Sequence, residues 1–295
     1  SNNDAGTSNT VFGKNAGNDL ASGGNYSAFF GELAGANITT GDGNVAIGYA
    51  ALTTADDDGR NIAIGQECLK FYNASGDTYQ VAVGHRAGYS RTGGVQNTAL
   101  GAFSQYGATS GTAPTGSGNT SVGYLTLNNI TNGQYNSTLG VQAGHSITSS
   151  TFNVYLGYQA GYYNETGGQN IAIGSKSQFG VSGESHQNNT SVGYQSLYSV
   201  TTADQITSIG KSSAYHNTSG IRNIAIGSNS LFFNQTGNYN TAIGTSSMEG
   251  ASGQNHSNNT AVGYQSLKSV TTANNNTSLG ANSADAITTG SDNCS

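Results

Sequence analysis

The chain has 295 residues, of which 34% are apolar and 8% are charged, with 44 glycines and a net charge of -6. Globular domains usually contain ~45–50% apolar residues, so this composition excludes a large round core. The 9 Lys and Arg residues are scattered, which excludes nucleic acid as the expected partner, and no apolar run approaches the ~20 residues of a membrane span.

A glycine preceded by an apolar residue returns at nearly constant spacing from one end of the chain to the other. The usual spacing is 17 residues, with one of 18, three of 19 and one of 22. Such a period predicts one continuous repeat array, a segment of a longer fibre, in which each unit is one coil. The anchor glycines are Gly13, Gly31, Gly48, Gly65, Gly84, Gly101, Gly123, Gly140, Gly157, Gly174, Gly193, Gly210, Gly227, Gly244, Gly263 and Gly280.

The repeat also exists at a longer range. Residues 186–210 and 256–280 lie 70 residues apart and are identical at 18 of 25 positions. Because 70 residues is the sum of three 17-residue spacings and one of 19, a block of four coils is duplicated as a whole.

Alignment on the anchors gives columns with distinct physical roles. An apolar residue precedes each anchor, a small residue follows it by three positions, and Asn stands four positions before it in most units. We expect the apolar column to point inward from a short strand, the small column to mark close backbone approach, and the Asn column to form a ladder at a corner. The positions that define these columns include Asn61, Ile64, Gly65, Asn170, Ile173, Gly174, Ser177, Asn223, Ile226, Gly227 and Ser230.

These columns predict an all-β fold, a parallel β-solenoid or β-roll of about sixteen coils. A second apolar pair after the small column, such as Leu197 and Val200, indicates a second short strand in each coil. Sixteen coils at the strand spacing would make a rod on the order of 75 Å long. The 22-residue spacing predicts a surface loop at 107–118, which contains Pro114, the one proline.

The element N-I-A-I-G-x-x-S, at 170–177 and 223–230, resembles the head repeats of trimeric autotransporter adhesins. It is also similar to the N-T-A-x-G-x-x-A/S-L repeats of bacteriophage and virus-like tail fibres. The resemblance covers nearly the whole chain. It implies a left-handed parallel β-roll, a homotrimer, and a location outside the cell, at a cell surface or on a virion.

An argument from bulk also favours self-association. A thin coil interior has little room for neighbouring aromatic side chains, so we expect some of them to face a partner chain. The adjacent aromatic pairs are Phe71 with Tyr72, Tyr162 with Tyr163, and Phe232 with Phe233.

Motifs that imitate enzyme sites are unconvincing. The glycines at 41–46 resemble a dinucleotide-binding fingerprint, but they precede a strand instead of opening a helix. Gly210-Lys-Ser resembles only half of a phosphate-binding loop. His186 and His256 occupy equivalent places four coils apart, too far to share a metal ion, and the three carboxylates at 56–58 are better explained as a solvated turn than as a calcium site. We therefore expect no enzymatic activity, no cofactor and no metal.

The sequence thus favours a fibre that projects and binds a cell-surface receptor or a glycan. Aromatic faces suit sugar rings, so tyrosines directly after an anchor are candidate glycan contacts, although packing between coils or chains explains them as well. The alternative is an ice-binding β-solenoid, suggested by Thr-Thr pairs such as 201–202 and 271–272, which skip many coils. The candidate contact residues are Tyr49, Tyr124, Tyr158, Tyr194 and Tyr264.

Overall fold

The computed structural model describes residues 6–107 and 114–295. It is an all-β parallel β-solenoid of about sixteen coils, and no helix occurs in the described residues. The chain divides into two compact units, Ser1–Thr151 and Phe152–Ser295. Most of the predicted loop at 107–118, residues 108–113, lies outside the described residues.

Each coil contributes one strand of three residues, which ends directly before an anchor glycine. The strands of the first unit are β1 (Thr10–Phe12), β2 (Ala28–Phe30), β3 (Val45–Ile47), β4 (Ile62–Ile64), β5 (Val81–Val83), β6 (Thr98–Leu100), β7 (Thr120–Val122) and β8 (Ser137–Leu139). Those of the second unit are β9 (Val154–Leu156), β10 (Ile171–Ile173), β11 (Thr190–Val192), β12 (Thr207–Ile209), β13 (Ile224–Ile226), β14 (Thr241–Ile243), β15 (Thr260–Val262) and β16 (Thr277–Leu279).

Within each unit the strands pair in parallel with their sequence neighbours, and like positions face each other. Ala172 of β10, for example, lies opposite Tyr155 of β9 on one side and Ser191 of β11 on the other. Insertions in the longer coils do not disturb this register, because they lie outside the strands. The predicted circuit of one coil per repeat is confirmed.

The prediction of the inward column was wrong. The middle residue of each strand points inward, and Ala63, Ala172 and Ala225 are completely buried. Ile64, Ile173 and Ile226, expected inside, lie on the outer side of the sheet and are only partly covered. The period of two identifies which residues share a face but not which face is inside. The thin interior has room for Ala and Ser, and the larger aliphatic side chains are outside.

The small column three residues after the anchor is buried in nearly every coil. Ser177 and Ser230 are completely buried, as is Ser196. The hydroxyl oxygens of Ser196 and Ser208 lie 2.7 Å apart, and the Ser230 hydroxyl donates to the Gly227 carbonyl at 3.0 Å. Hydroxyl groups inside the coil are therefore paired with one another or with backbone, which removes the cost of burying them.

The second strand predicted in each coil is absent from the described residues. After the anchor the chain forms tight turns in which residues two and four positions on have positive φ, for example Gln195 and Leu197, both at 53°. Backbone of that kind cannot extend into a strand. Coils still bond to each other here, since the Leu197 amide donates to the Ser213 carbonyl at 2.9 Å. The apolar pair Leu197 and Val200 points inward and is completely buried.

The Asn column forms the predicted ladder, completely buried at Asn61, Asn170 and Asn223. In most coils the Asn side-chain oxygen accepts the backbone N–H of the Asn one coil further on: Asn223 Oδ1 accepts from Asn240 at 2.9 Å, and Asn240 Oδ1 from Asn259 at 3.1 Å. The ladder satisfies buried amides at the corner where each strand begins. In the same way the backbone N–H of Asn61 donates to Asn44 Oδ1 at 2.9 Å, and that of Asn170 donates to Asn153 Oδ1 at 2.9 Å.

The anchor glycines are a recurring point of close contact between coils. Gly193 has a φ of 136°, and a Cβ placed on it would lie 2.5 Å from the carbonyl oxygen of Gly210 in the next coil. Gly174 is in the same relation to Gly193, at 2.5 Å, and Gly65 to Gly84, at 2.4 Å. Only glycine meets both the backbone angle and the spacing.

We expect Gly193→Ala to destabilise the second unit by more than about 3 kcal/mol, because it combines backbone strain with a clash against a carbonyl. Gly280→Ala is the matched control. Gly280 also has a positive φ, of 130°. The atom nearest to a Cβ added there is the Cβ of Ser283, at 3.8 Å, so the substitution strains the backbone without a clash. Urea unfolding of both variants should give a clearly smaller loss for Gly280→Ala; equal losses would show that coil contact at the anchor is not limiting.

Candidate binding surfaces

The five candidate tyrosines follow their anchors at the outer surface. All are about half exposed, with values of 47% at Tyr49 and 50% at Tyr194. They do not form one cluster, because the two in the first unit follow β3 and β7 and the three in the second follow β9, β11 and β15. The structure thus places them where a ligand could reach, one or more coils apart.

A column of stacked rings runs beside two of these tyrosines. It consists of Tyr162, Phe179, Tyr198, Tyr215 and Phe232, one from each of five successive coils, and is called the aromatic stack here. Neighbouring ring centroids are 4.9 to 5.3 Å apart, with interplanar angles of 4° to 16°. Sequence reasoning missed it, although an aromatic residue five positions after five consecutive anchors was a visible signal.

The neighbouring tyrosines affect the stack electrostatically. The pKa of the Tyr162 hydroxyl is raised, first by burial and then by the nearby Tyr163 and Tyr158 hydroxyls. The pKa of Tyr215 is raised in the same way, by burial and then by Tyr198 and Tyr194. Tyr158 and Tyr194 therefore lie near Tyr162 and Tyr215 of the aromatic stack.

The stack changes the interpretation of the bulky pairs. Tyr162 and Phe232 stack on rings of neighbouring coils in the same chain, and their pair partners Tyr163 and Phe233 contact them edge to face. Tyr72 is completely buried inside its coil, where its hydroxyl donates to the Gly94 carbonyl at 2.5 Å. The expectation that the interior cannot hold such a ring was wrong for Tyr72, because small side chains elsewhere in the interior leave space.

A second surface is the outer side of the sheet, formed by the first and third residue of every strand and called the outer sheet face here. It carries no charged residue within the sixteen strands. Ile209 and Ile224 are each 38% exposed. In the second unit it consists of Val154, Leu156, Ile171, Ile173, Thr190, Val192, Thr207, Ile209, Ile224, Ile226, Thr241, Ile243, Thr260, Val262, Thr277 and Leu279.

The acidic turn at 56–58 does not converge on one point. Asp56 accepts a hydrogen bond from the Thr39 hydroxyl at the surface, whereas Asp58 is buried. Burial raises the pKa of Asp58 to about 7, only partly offset by backbone amides at Ala74 and Asp56. Within residues 6–107 and 114–295, no three His, Cys, Asp or Glu side chains are grouped so that they could hold a metal ion.

His186 and His256 are core residues of two lengthened coils. Each is 2% exposed and ends a short insertion, in which the residue seven positions after the anchor, Val181 or Ala251, lies at the surface. In most other coils that position is a buried residue such as Val200 or Leu20. The imidazole ring therefore fills the place that an aliphatic side chain fills elsewhere. Burial lowers the pKa to about 3 at His186 and about 4 at His256.

These two histidines should make the second unit sensitive to acid. Unfolded histidine has a pKa of 6.5, so below that pH the unfolded chain takes up protons that the folded chain binds only near pH 3 to 4. Stability should fall with decreasing pH across this window, by on the order of 1.4 kcal/mol per pH unit and histidine. Unfolding monitored by circular dichroism at several pH values measures the slope.

Replacing both residues, His186→Leu with His256→Leu, should flatten this dependence, since Leu suits the same interior place. His85→Leu serves as the control, because His85 lies outside the coil interior, against Phe103. An unchanged slope in the double variant would show that other groups cause the acid sensitivity.

Comparison with known proteins identifies no relative: no family model, no curated protein and no solved structure matches the chain. A search of the described residues also finds no helix that is long and apolar enough to span a membrane.

Proposed function

We propose that this chain is a segment of a non-enzymatic structural and adhesive fibre, located outside the cell, at a cell surface or on a virion, whose solenoids associate through the outer sheet face. The observation that carries the proposal is this face itself, which is free of charge along every strand of both units and has an apolar residue at the third position of each strand. The outer sheet face allows long repeat arrays to associate side by side. Such an assembly would provide a stiff fibre that extends away from its point of attachment.

The outer sheet face has the composition of an interface. Monomeric proteins rarely expose contiguous apolar patches larger than a few hundred Å². Eight strands at ~4.8 Å spacing, each about 10 Å long, present on the order of 400 Å² per unit. One partner in a stable complex contributes ~800 Å², so two such units supply an area of that order.

A second copy of this chain is the partner that fits best. The outer sheet face of a second copy has the same 17-residue repeat. The side chains of two copies can therefore meet in a pattern that recurs from one strand to the next. The resemblance to trimeric adhesin heads and to tail-fibre repeats supports three copies and a left-handed coil. Both remain part of the proposal, as does the binding of a surface receptor or glycan at the distal target.

The positions of reactive side chains support a structural role. The hydroxyls of the small column bond to each other inside the coil, and His186 and His256 pack as interior residues. The thiol of Cys68 is buried as well, which raises its pKa to about 12 and keeps it protonated. Groups that often act in catalysis are here used for packing.

Charges placed on the outer sheet face should separate the copies. We expect the protein to sediment as an oligomer and the double variant Ile209→Glu with Ile224→Glu to sediment as a monomer, because burying carboxylates without partners costs several kcal/mol. Both isoleucines are exposed in the single chain, so the coil itself should stay folded and its circular dichroism unchanged.

Thr236→Glu with Thr245→Glu is the matched control, since both threonines are exposed and lie outside the strands. It should keep the wild-type sedimentation coefficient. A wild-type protein that is monomeric at all concentrations would overturn the proposed assembly.

The ice-binding alternative has one observation in its favour. The Thr-Thr pairs that suggested it skip coils, but another set of threonines shares a single column on the outer sheet face. These are Thr190, Thr207, Thr241, Thr260 and Thr277, each the first residue of its strand. A regular flat array of Thr and aliphatic residues suits an ordered water lattice. Thermal hysteresis measured on the monomeric and oligomeric protein separates the two functions, since assembly through this face leaves no surface for ice.

A further inference from the structure

Aromatic residues return after every second anchor in part of each unit. In the second unit Tyr158 follows β9 and Tyr194 follows β11, with Ser175 at the same place in the coil between them. The two tyrosines are therefore separated by two strand spacings, ~9.6 Å along the axis. In the first unit the sequence positions repeat this order, with Tyr49 after β3, His85 after β5 and Tyr124 after β7.

The second unit has the pair with only a small residue in the coil between its two rings. In the first unit Phe103 contacts both His85 and Tyr124 edge to face, with ring centroids 5.1 and 6.2 Å away. Tyr158 and Tyr194 are 48% and 50% exposed, and the small Ser175 leaves the space between them open. A ligand lying along the axis would meet an aromatic ring, then a gap, then a second ring.

The aromatic stack supplies a polar row beside this pair. Tyr162 follows Tyr158 by four residues in one coil, and Tyr198 follows Tyr194 by four residues in another, so each tyrosine of the pair shares its coil with a ring of the aromatic stack. Rings of the stack cover each other's faces, so their edges and the hydroxyls of Tyr162, Tyr198 and Tyr215 are what they offer at the surface. The ring centroids of Tyr198 and Tyr215 are 4.9 Å apart, so the hydroxyls of these two tyrosines lie in neighbouring coils.

We infer that Tyr158, Tyr194 and the adjoining edge of the aromatic stack form a track for an extended β-1,4-linked pyranose chain lying along the solenoid axis. In such a chain each sugar is turned by about half a rotation relative to the one before, so the same ring face returns at every second sugar. One sugar is close in length to one strand spacing, ~4.8 Å. Rings available for stacking every two coils match that alternation, and the hydroxyls of Tyr162 and Tyr198 return at the same two-coil interval, with Phe179 between them.

This inference rests on the proposed function, because it assigns the ligand class of the adhesive surface, but it uses a different face from the assembly. Tyrosine suits the ligand, since its ring covers the C–H face of a sugar while its hydroxyl stays available for hydrogen bonds. An α-1,4-linked chain curves away from a straight track and does not match two points along the axis.

Isothermal titration calorimetry with cellohexaose, chitohexaose and maltohexaose tests the track. We expect binding of a β-linked hexaose, weaker binding of its disaccharide, and none of the α-linked maltohexaose. Tyr158→Ala with Tyr194→Ala should weaken binding at least about tenfold, because two stacking contacts are lost. Tyr158→Phe with Tyr194→Phe keeps both rings and should retain most of the affinity.

Tyr239→Ala is the control. Tyr239 is 49% exposed in the same unit, but it lies two residues before β14 rather than directly after an anchor. Its loss should leave affinity unchanged, and every variant should keep the wild-type sedimentation coefficient. Full affinity in the double Ala variant, equal binding of maltohexaose, or an assembled fibre that binds neither β-linked hexaose overturns the track alone. A wild type that does not assemble overturns the proposed fibre instead.

Discussion

The contact between anchor glycines of successive coils is the constraint on which the structure depends. Each anchor carbonyl occupies the place where a side chain on the previous anchor would be, and the φ of 136° at Gly193 is one that only glycine adopts readily. This contact holds each coil at strand distance from the next. Every residue then meets its counterpart one repeat away, which explains why columns, rather than single residues, carry the structure.

Columns of like residues create both the stability and the surfaces. Asn meets Asn in a buried ladder, Ser meets Ser inside the coil, and aromatic rings meet aromatic rings in the stack. A short coil buries little, so its interior takes Ala and Ser from the strands while the larger aliphatic residues remain outside. The outer sheet face is therefore a direct consequence of a thin interior, and the proposed assembly would cover it.

The two proposed surfaces are complementary. The outer sheet face is uncharged, largely apolar and repeated in every coil, which suits contact between copies of the same chain. The track at Tyr158 and Tyr194 is amphipathic and confined to a few coils, which suits a specific ligand. A fibre needs both kinds of surface, one for assembly and one for its target, and repetition supplies the first while local departures from the repeat supply the second.

Spacing alone determined the number of coils, the position of each strand and the Asn ladder, because a repeat with a constant period has to stack like on like. Spacing did not determine which face of the strand is inside, because an alternation of period two is the same whether Ile173 points inward or outward. Only closure of the coil places Ala172 in the interior. The turns after the anchor were equally hidden, since Leu197 at a positive φ looks like a strand residue in the sequence. The aromatic stack was visible as a column, but that its rings overlap, and that Tyr158 and Tyr194 lie beside it, depends on where the tertiary fold brings neighbouring turns together.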